Sequence, residues 1–175
     1  MQQISLQRAL LADRPKIYRW LAQSDATREM MGPPDFSDHP VPDYAQFLAD
    51  YDGSAFTEDS GFQIFKISVD GEEVGAAQFW IQERAAELDI WIASRRHWGY
   101  GIGSETLRKL ADILRQRGDV DILVIRPSAR NQRAIAAYKK AGFEDYDPQK
   151  HTLPRVFVKE GMDYADAVIL AWNLH

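Results

Sequence analysis

The chain has 175 residues, 45% of them hydrophobic, which is enough for one domain with a buried core and short for two. Its 21 Lys and Arg against 26 Asp and Glu give a net charge of −5, so it lacks the basic surplus of a nucleic-acid-binding protein. Cysteine is absent, which excludes disulfides and thiolate chemistry and suits the cytoplasm, and no apolar run reaches the roughly 18 residues of a membrane span. We therefore expect one cytoplasmic domain over residues 1–175, with neither nucleic acid nor membrane as a partner.

The N-terminal part of the chain predicts one strand and two helices. Apolar residues alternate with polar ones over about residues 3–8, which indicates a strand. Asp13 is expected to cap a helix that has a proline in its first turn. Four prolines within residues 31–43 predict a loop, and a second helix follows it and ends near Asp52.

The middle of the chain predicts an antiparallel meander. Asp70 and Gly71 form a strong hairpin turn signal, and a second turn is expected at residues 84–86. Three strands are expected, over residues 62–69, 74–82 and 87–93.

Three alternate glycines, Gly99, Gly101 and Gly103, lie between the third strand of the meander and a helix predicted from Glu105 to Arg117. Glycine lets the backbone approach a ligand without a Cβ in the way. A helix that begins just after the glycines points unpaired N–H groups and its positive dipole end at the same place, which suits a phosphate or pyrophosphate. The spacing does not match the Gly-x-Gly-x-x-Gly dinucleotide fingerprint, and the Gly-Lys-Ser/Thr of a phosphate-binding loop is missing.

The remaining chain alternates strands with one helix. That helix is predicted over residues 129–141, closed by Gly142 at its C-terminal cap. The last two apolar segments are interpreted as a final hairpin. The four strands are expected at residues 121–125, 143–146, 156–158 and 167–172. Together with the preceding elements they predict a mixed sheet with helices on its faces.

A second motif follows the glycine loop by one strand. It runs from Asn131 to Phe143 as Asn-Gln-Arg-Ala-Ile-Ala-Ala-Tyr-Lys-Lys-Ala-Gly-Phe. Together with the loop from Trp98 to Gly103, it resembles the GNAT superfamily of N-acetyltransferases. That family has Gln/Arg-x-x-Gly-x-Gly/Ala in its loop and Asn-x-x-Ala-x-x-x-Tyr-x-x-x-Gly-Phe in its later helix. Trp98 stands where the family usually has Gln or Arg.

The resemblance implies an α/β (α+β) fold of the GNAT type. The sheet is expected to be mixed, mostly antiparallel and six- to seven-stranded, with helices on both faces. A splay is expected between the strands at residues 87–93 and 121–126. Residues 61–146 would form the acetyl-CoA core, and the helices and loop of residues 10–60 would form the acceptor side.

The resemblance also implies acetyl-CoA as the co-substrate. The loop amides would hold its pyrophosphate, the edge of the strand and Asn131 would bind the pantetheine arm, and Tyr138 would protonate the leaving thiolate. A tyrosine hydroxyl suits that role because its pKa lies near that of a thiol. The implied binding residues are Ile92, Ala93, Trp98, Gly99, Tyr100, Gly101, Ile102, Gly103, Ser104, Asn131, Ala134 and Tyr138.

The candidate bases are Glu87 and Asp89. They alternate with Leu88 and Ile90, so the carboxylates are expected on the face of the strand that lines the acceptor cleft. Either one would take the proton of the acceptor ammonium, directly or through water, or would bind a cationic substrate. The ten-residue spacing from Asp89 to Gly99 is similar to that around the proposed catalytic Asp of aminoglycoside 6′-N-acetyltransferases.

The sequence therefore predicts an N-acetyltransferase that moves an acetyl group to a primary amine by direct transfer in a ternary complex. The acceptor is expected to be an aminoglycoside or another small polyamine, since residues 20–60 are rich in acidic and aromatic side chains. A protein or peptide N-terminal acetyltransferase and a non-catalytic acyl-CoA-binding module are the alternatives. The four histidines show no metal-ligand spacing, so no metal is expected, and the protein is expected to be a monomer or homodimer.

Overall fold

The computed structural model describes residues 2–30, 41–57, 60–159 and 164–175. The described strands are β1 (Ile4–Arg8), β2 (Phe62–Val69), β3 (Glu72–Gln82), β4 (Ala85–Ile92), β5 (Ile122–Ile125), β6 (Glu144–Asp145) and β7 (Leu170–Asn173). The described helices are α1 (Arg14–Ala22), α2 (Thr27–Met30), α3 (Tyr44–Asp50), α4 (Ile102–Arg117), α5 (Gln132–Ala141) and α6 (Arg155–Lys159). Most of the predicted proline-rich loop, residues 31–40, lies outside the described residues.

The strands form one seven-stranded sheet in the order β1-β2-β3-β4-β5-β7-β6. All neighbouring strands are antiparallel except β4 and β5, which are parallel. The turn between β2 and β3 has positive φ at both Asp70 (49°) and Gly71 (86°), as a tight hairpin of the primed type requires. The predicted mixed, mostly antiparallel sheet is confirmed.

The parallel pair β4 and β5 separates partway along its length. Pairing runs only from Ala85 opposite Ile122 to Glu87 opposite Val124, although β4 continues to Ile92. The chain beyond β5 reaches Pro127, which has no N–H with which to extend the ladder. The predicted splay is confirmed, and one edge of β4 is left open beyond it.

Helices cover both faces of the sheet. Helices α4 and α5 bury the largest apolar cluster, which includes Leu88 of β4 and Leu107 of α4. On the opposite face, Ile17 of α1 and Phe47 of α3 pack against Trp91 of β4. Each such fully buried side chain contributes about 1.5–3 kcal/mol of transfer free energy. The alternation along β4 therefore directs Leu88 and Trp91 to different cores, as the sequence pattern predicts.

The predicted final hairpin is wrong. Residues 156–158 lie in α6, and β7 pairs with β5 and β6 instead. Pro154 comes just before α6, a position where a missing N–H costs nothing, and Phe157 is fully buried. An apolar run of only three residues fits a strand and one turn of buried helix equally well, so the sequence pattern does not separate the two.

Several predicted boundaries also shift. Helix α4 begins at Ile102 rather than Glu105, because Ile102 is buried in the core and packing outweighs the low helix propensity of the glycine next to it. Helix α5 begins at Gln132 rather than at residue 129. Asp13 precedes α1, but its carboxylate accepts hydrogen bonds from Leu10 N (2.9 Å) and Lys66 Nζ (3.3 Å) and does not cap α1.

Candidate active site

The glycine loop leads into α4 through two residues in the left-handed region. Gly99 has φ 85° and Gly101, the N-cap of α4, has φ 79°, conformations that other residues adopt only with strain. Gly103 lies in the first turn of α4, and a Cβ built there would meet no atom within 4 Å. The glycines thus serve two purposes, since two set the turn and the third leaves open space at the end of the helix.

The first turn of α4 has the geometry of an anion site. The first helical hydrogen bond runs from Glu105 N to Gly101 O at 3.0 Å, so the N–H groups of Ile102, Gly103 and Ser104 have no helical acceptor. The Ser104 hydroxyl donates to Ala137 O at 2.8 Å and so joins α4 to α5. These amides and the open space at Gly103 fit a phosphate group.

Helix α5 presents Asn131 and Tyr138 to the same region. Asn131 is the N-cap of α5, and its Oδ1 accepts a hydrogen bond from Ala134 N at 3.2 Å. Tyr138 is 9% exposed. Burial, with a smaller contribution from the Asp89 carboxylate, raises the pKa of Tyr138 well above its ordinary value, while Arg133 opposes that rise. The Tyr138 phenol is therefore protonated throughout the neutral range, but it is a weaker acid than a free tyrosine, so its pKa does not lie near that of a thiol as the sequence led us to expect.

A cavity of about 850 Å³ occupies the splay. It extends from the glycine loop past Tyr138 to the face of the sheet beneath α3, so one space joins the predicted coenzyme and acceptor sides. Its acidic lining residues are Asp50, Glu87 and Asp89, and its large aromatic ones are Tyr51, Phe62, Trp80, Trp91, Trp98, Tyr138 and Tyr164. The volume lies in the range of small-molecule sites.

Most of the predicted site residues meet at this cavity. The lining includes Glu87, Asp89, Ile92, Trp98, Gly99, Gly101, Ile102, Gly103, Ser104, Asn131, Ala134 and Tyr138. Tyr100 is not among the lining residues and is 66% exposed. Ala93 also lies outside the lining, and its N–H donates to Val74 O at 2.8 Å on the β3 side.

Alternate residues of β4 direct their main-chain N–H and C=O groups toward its open edge. Because Ala93 faces β3, the main-chain groups of Ile92 and Ile90 face the gap left by β5. The N–H of Ile90 donates to Asp89 Oδ1 at 2.8 Å. Of the two residues predicted at the strand edge, Ile92 lies on the open side and Ala93 on the β3 side.

The two candidate bases have different surroundings. Glu87 accepts two hydrogen bonds from Arg126, whose side chain is only 6% exposed. Asp89 is exposed at the cavity and close enough to Tyr138 to raise its pKa. The charge of Glu87 is therefore matched by a buried cation, whereas Asp89 faces the space where an acceptor amine would enter.

Three further lining residues escaped the sequence analysis, namely Gln78, Arg126 and Arg133. Gln78 is paired across β3 and β4 with Asp89, so strand alternation places the two side chains on one face. Its buried Oε1 has no hydrogen-bond partner among the described residues. The alternation of Gln78 with Trp80 was a usable signal, and Arg133 lies within the motif from Asn131 to Phe143.

Within the described ranges, no group of three or more His, Asp and Glu side chains could hold a metal ion. In the same part of the chain, no helix is both long and apolar enough to cross a membrane.

Residues 4–144 match the Acetyltransferase (GNAT) domain family, and the chain belongs to that family. The chain is 27% identical over 145 residues to Aminoglycoside N(6')-acetyltransferase type 1 of Klebsiella pneumoniae, covering 75% of this chain and 69% of that protein.

Two solved structures show the same fold. AAC(6')-Ib in complex with ribostamycin and coenzyme A is 22% identical with a TM-score of 0.67, covering 98% of this chain and 93% of that one. Spermidine N-acetyltransferase from Vibrio cholerae in complex with CoA and spermine is 16% identical with a TM-score of 0.71, covering 98% and 96%. The predicted GNAT fold is confirmed.

Proposed function

We propose that this GNAT acetyltransferase transfers the acetyl group of acetyl-CoA to a primary amine of a small cationic molecule. One observation carries the proposal: the Asp89 carboxylate and the buried Tyr138 hydroxyl lie at one cavity, which opens onto the glycine-loop end of α4. A base for the amine and an acid for the thiolate thus lie at the splay, beside an anion site. The peptide-acetyltransferase and non-catalytic alternatives are not favoured, because the chain resembles small-molecule acetyltransferases.

On the donor side, acetyl-CoA supplies an acetyl group activated as a thioester. The N–H groups of Ile102, Gly103 and Ser104 hold the pyrophosphate. The open edge of β4 at Ile92 binds the pantetheine arm as an added strand would. Asn131 keeps its Nδ2 for the same arm while its Oδ1 caps α5.

On the acceptor side, Asp89 takes the proton of the ammonium, directly or through water, so that the nitrogen lone pair can attack. The Ile92 N–H stabilises the charge that develops on the carbonyl oxygen. As the tetrahedral intermediate collapses, the C–S bond breaks and Tyr138 donates its proton to the departing sulfur. The second proton of the attacking nitrogen is released to water, and the phenol takes up a proton again. Glu87 is held by Arg126, so we assign it to the shape and charge of the acceptor site rather than to proton transfer.

The acceptor class follows from the lining of the cavity. Carboxylates of Asp50, Glu87 and Asp89 line the cavity and suit a cationic acceptor, and aromatic faces also attract ammonium groups. The name of the Klebsiella pneumoniae relative favours an aminoglycoside. The spermine complex of the Vibrio cholerae enzyme makes a polyamine the second candidate.

The remaining expectations complete the proposal. Residues 10–60 supply the acceptor side and residues 61–146 the coenzyme core of one domain, which is supported by α1 and α3 lying on the face of β4 that carries Asp89. A cytoplasmic location is supported by the absence of cysteine. A monomer or homodimer is the proposed assembly.

The test is an amine screen that follows free thiol release from acetyl-CoA. Aminoglycosides, spermidine and spermine, and peptides with free N-termini form three arms, with product mass as the second readout. Turnover with at least one non-peptide amine is expected. Tight acetyl-CoA binding without turnover in any arm would support a binding module instead, and turnover confined to peptides would overturn the acceptor class.

A further inference from the structure

Arg133 is held flat against Trp98 at the coenzyme end of the cavity. Its guanidinium carbon lies 3.3 Å from the centre of the indole ring, which is a close cation–π contact. Both residues line the cavity, Trp98 from the glycine loop and Arg133 from the first turn of α5. The stack therefore bridges the two elements that border the anion site.

Arg133 has no hydrogen bond or ion pair within the part of the chain that the structure describes. The other cavity arginine, Arg126, is paired with Glu87. Glu29 acts on Arg133 through space, but its carboxylate pairs with Arg95. Arg133 is an exposed residue, so its charge stays in contact with water and an anion that enters the cavity can reach it.

We infer that Arg133, held in place by Trp98, binds a phosphate of coenzyme A. The inference rests on the proposed function, because it takes coenzyme A as the anion. A guanidinium that stacks through its face keeps its N–H groups at the rim, where they can donate to phosphate oxygens. The loop has Trp98 where GNAT proteins usually have Gln or Arg, so the cation comes from α5 and the loop supplies the surface that orients it.

The test is calorimetric titration of coenzyme A into wild type, Arg133→Gln and Arg115→Gln. Arg115 is a matched control, since it also lies over a tryptophan, Trp172, but remote from the cavity. Loss of a hydrogen bond to a charged group corresponds to about tenfold or more in Kd, and we expect that weakening for Arg133→Gln alone. The salt dependence of Kd should also be shallower in that variant.

Titration with 3′-dephospho-coenzyme A distinguishes the phosphates. If the penalty of Arg133→Gln persists, Arg133 contacts the pyrophosphate, and if it disappears, Arg133 contacts the 3′-phosphate. Trp98→Phe should keep most of the affinity, and Trp98→Ala should lose part of it. Binding by Arg133→Gln within twofold of wild type would overturn the inference and leave the proposed function intact. Failure of the wild type to bind coenzyme A would overturn the proposed function itself.

Discussion

Arg126 holds the carboxylate of Glu87 at two points, with Nε to Oε1 at 2.6 Å and Nη2 to Oε2 at 3.0 Å. Breaking a largely buried pair from one side leaves the other charge without its counter-ion. We therefore expect Glu87→Gln to lower the free energy of unfolding in urea by about 3 kcal/mol. The double variant Glu87→Gln, Arg126→Met should regain part of that loss. A loss under about 1 kcal/mol, the range of exposed pairs, would contradict this assignment.

Asp89→Asn should separate proton transfer from binding. We expect kcat to fall about 10²- to 10⁴-fold, the usual contribution of a general base. The Kd for coenzyme A should stay near that of wild type, because Asp89 lies on the acceptor side of the cavity. Asp50→Asn, at another acidic lining residue, is the control and should affect mainly the acceptor KM. Equal loss of kcat in both variants would indicate that neither carboxylate is the base.

Tyr138→Phe should lower kcat and also change the alkaline stability. The raised pKa of Tyr138 means that the folded protein holds the phenolic proton more tightly than the unfolded chain does. This stabilisation is complete below about pH 10, the unfolded value, and is lost as the pH rises toward the folded pKa. Thermal melts from about pH 8 to 11 should show a steeper fall in Tm for wild type than for Tyr138→Phe. If Tm falls with pH equally in wild type and Tyr138→Phe, the result would contradict the assignment of Tyr138 as a buried phenol with a raised pKa.

Gly103→Ala should stabilise the folded protein and weaken its binding of coenzyme A. Gly103 is helical and open to a Cβ, so alanine should raise the free energy of unfolding by roughly 0.5–1 kcal/mol. The added methyl group enters the space at the anion site, so the Kd for coenzyme A should rise. Gly101→Ala provides the contrast, since its positive φ makes alanine destabilising as well. Unchanged coenzyme binding in Gly103→Ala would place the phosphate elsewhere.

Gln78→Leu should weaken binding of the acceptor amine without affecting binding of acetyl-CoA. The unpartnered Oε1 of Gln78 lies next to Asp89 on the acceptor face, so its loss should raise the acceptor KM up to about tenfold. The KM for acetyl-CoA should not change, and Gln82→Leu, outside the cavity lining, should leave both values near wild type. An acceptor KM equal to that of wild type would remove Gln78 from the site.

The elements with strong local signals were predicted well. The strand at Phe62–Val69, the Asp70–Gly71 turn and the cap at Gly142 all follow from neighbouring residues alone. The short segment at residues 156–158 was mispredicted, because three apolar residues fit a helical turn as well as a strand. The burial of Phe157 in the tertiary structure favours the helical turn.

The sequence by itself determined the family, the glycine loop and the pair of carboxylates on one face of β4, because each depends on the order and spacing of residues within short segments of the chain. Only the tertiary structure decided how those groups differ. Arg126 reaches Glu87 from β5's end and neutralises it, Asp89 stays open to the cavity, and Arg133 meets Trp98 across the splay. Charge pairing and desolvation depend on distances between residues far apart in the chain, which no local pattern records.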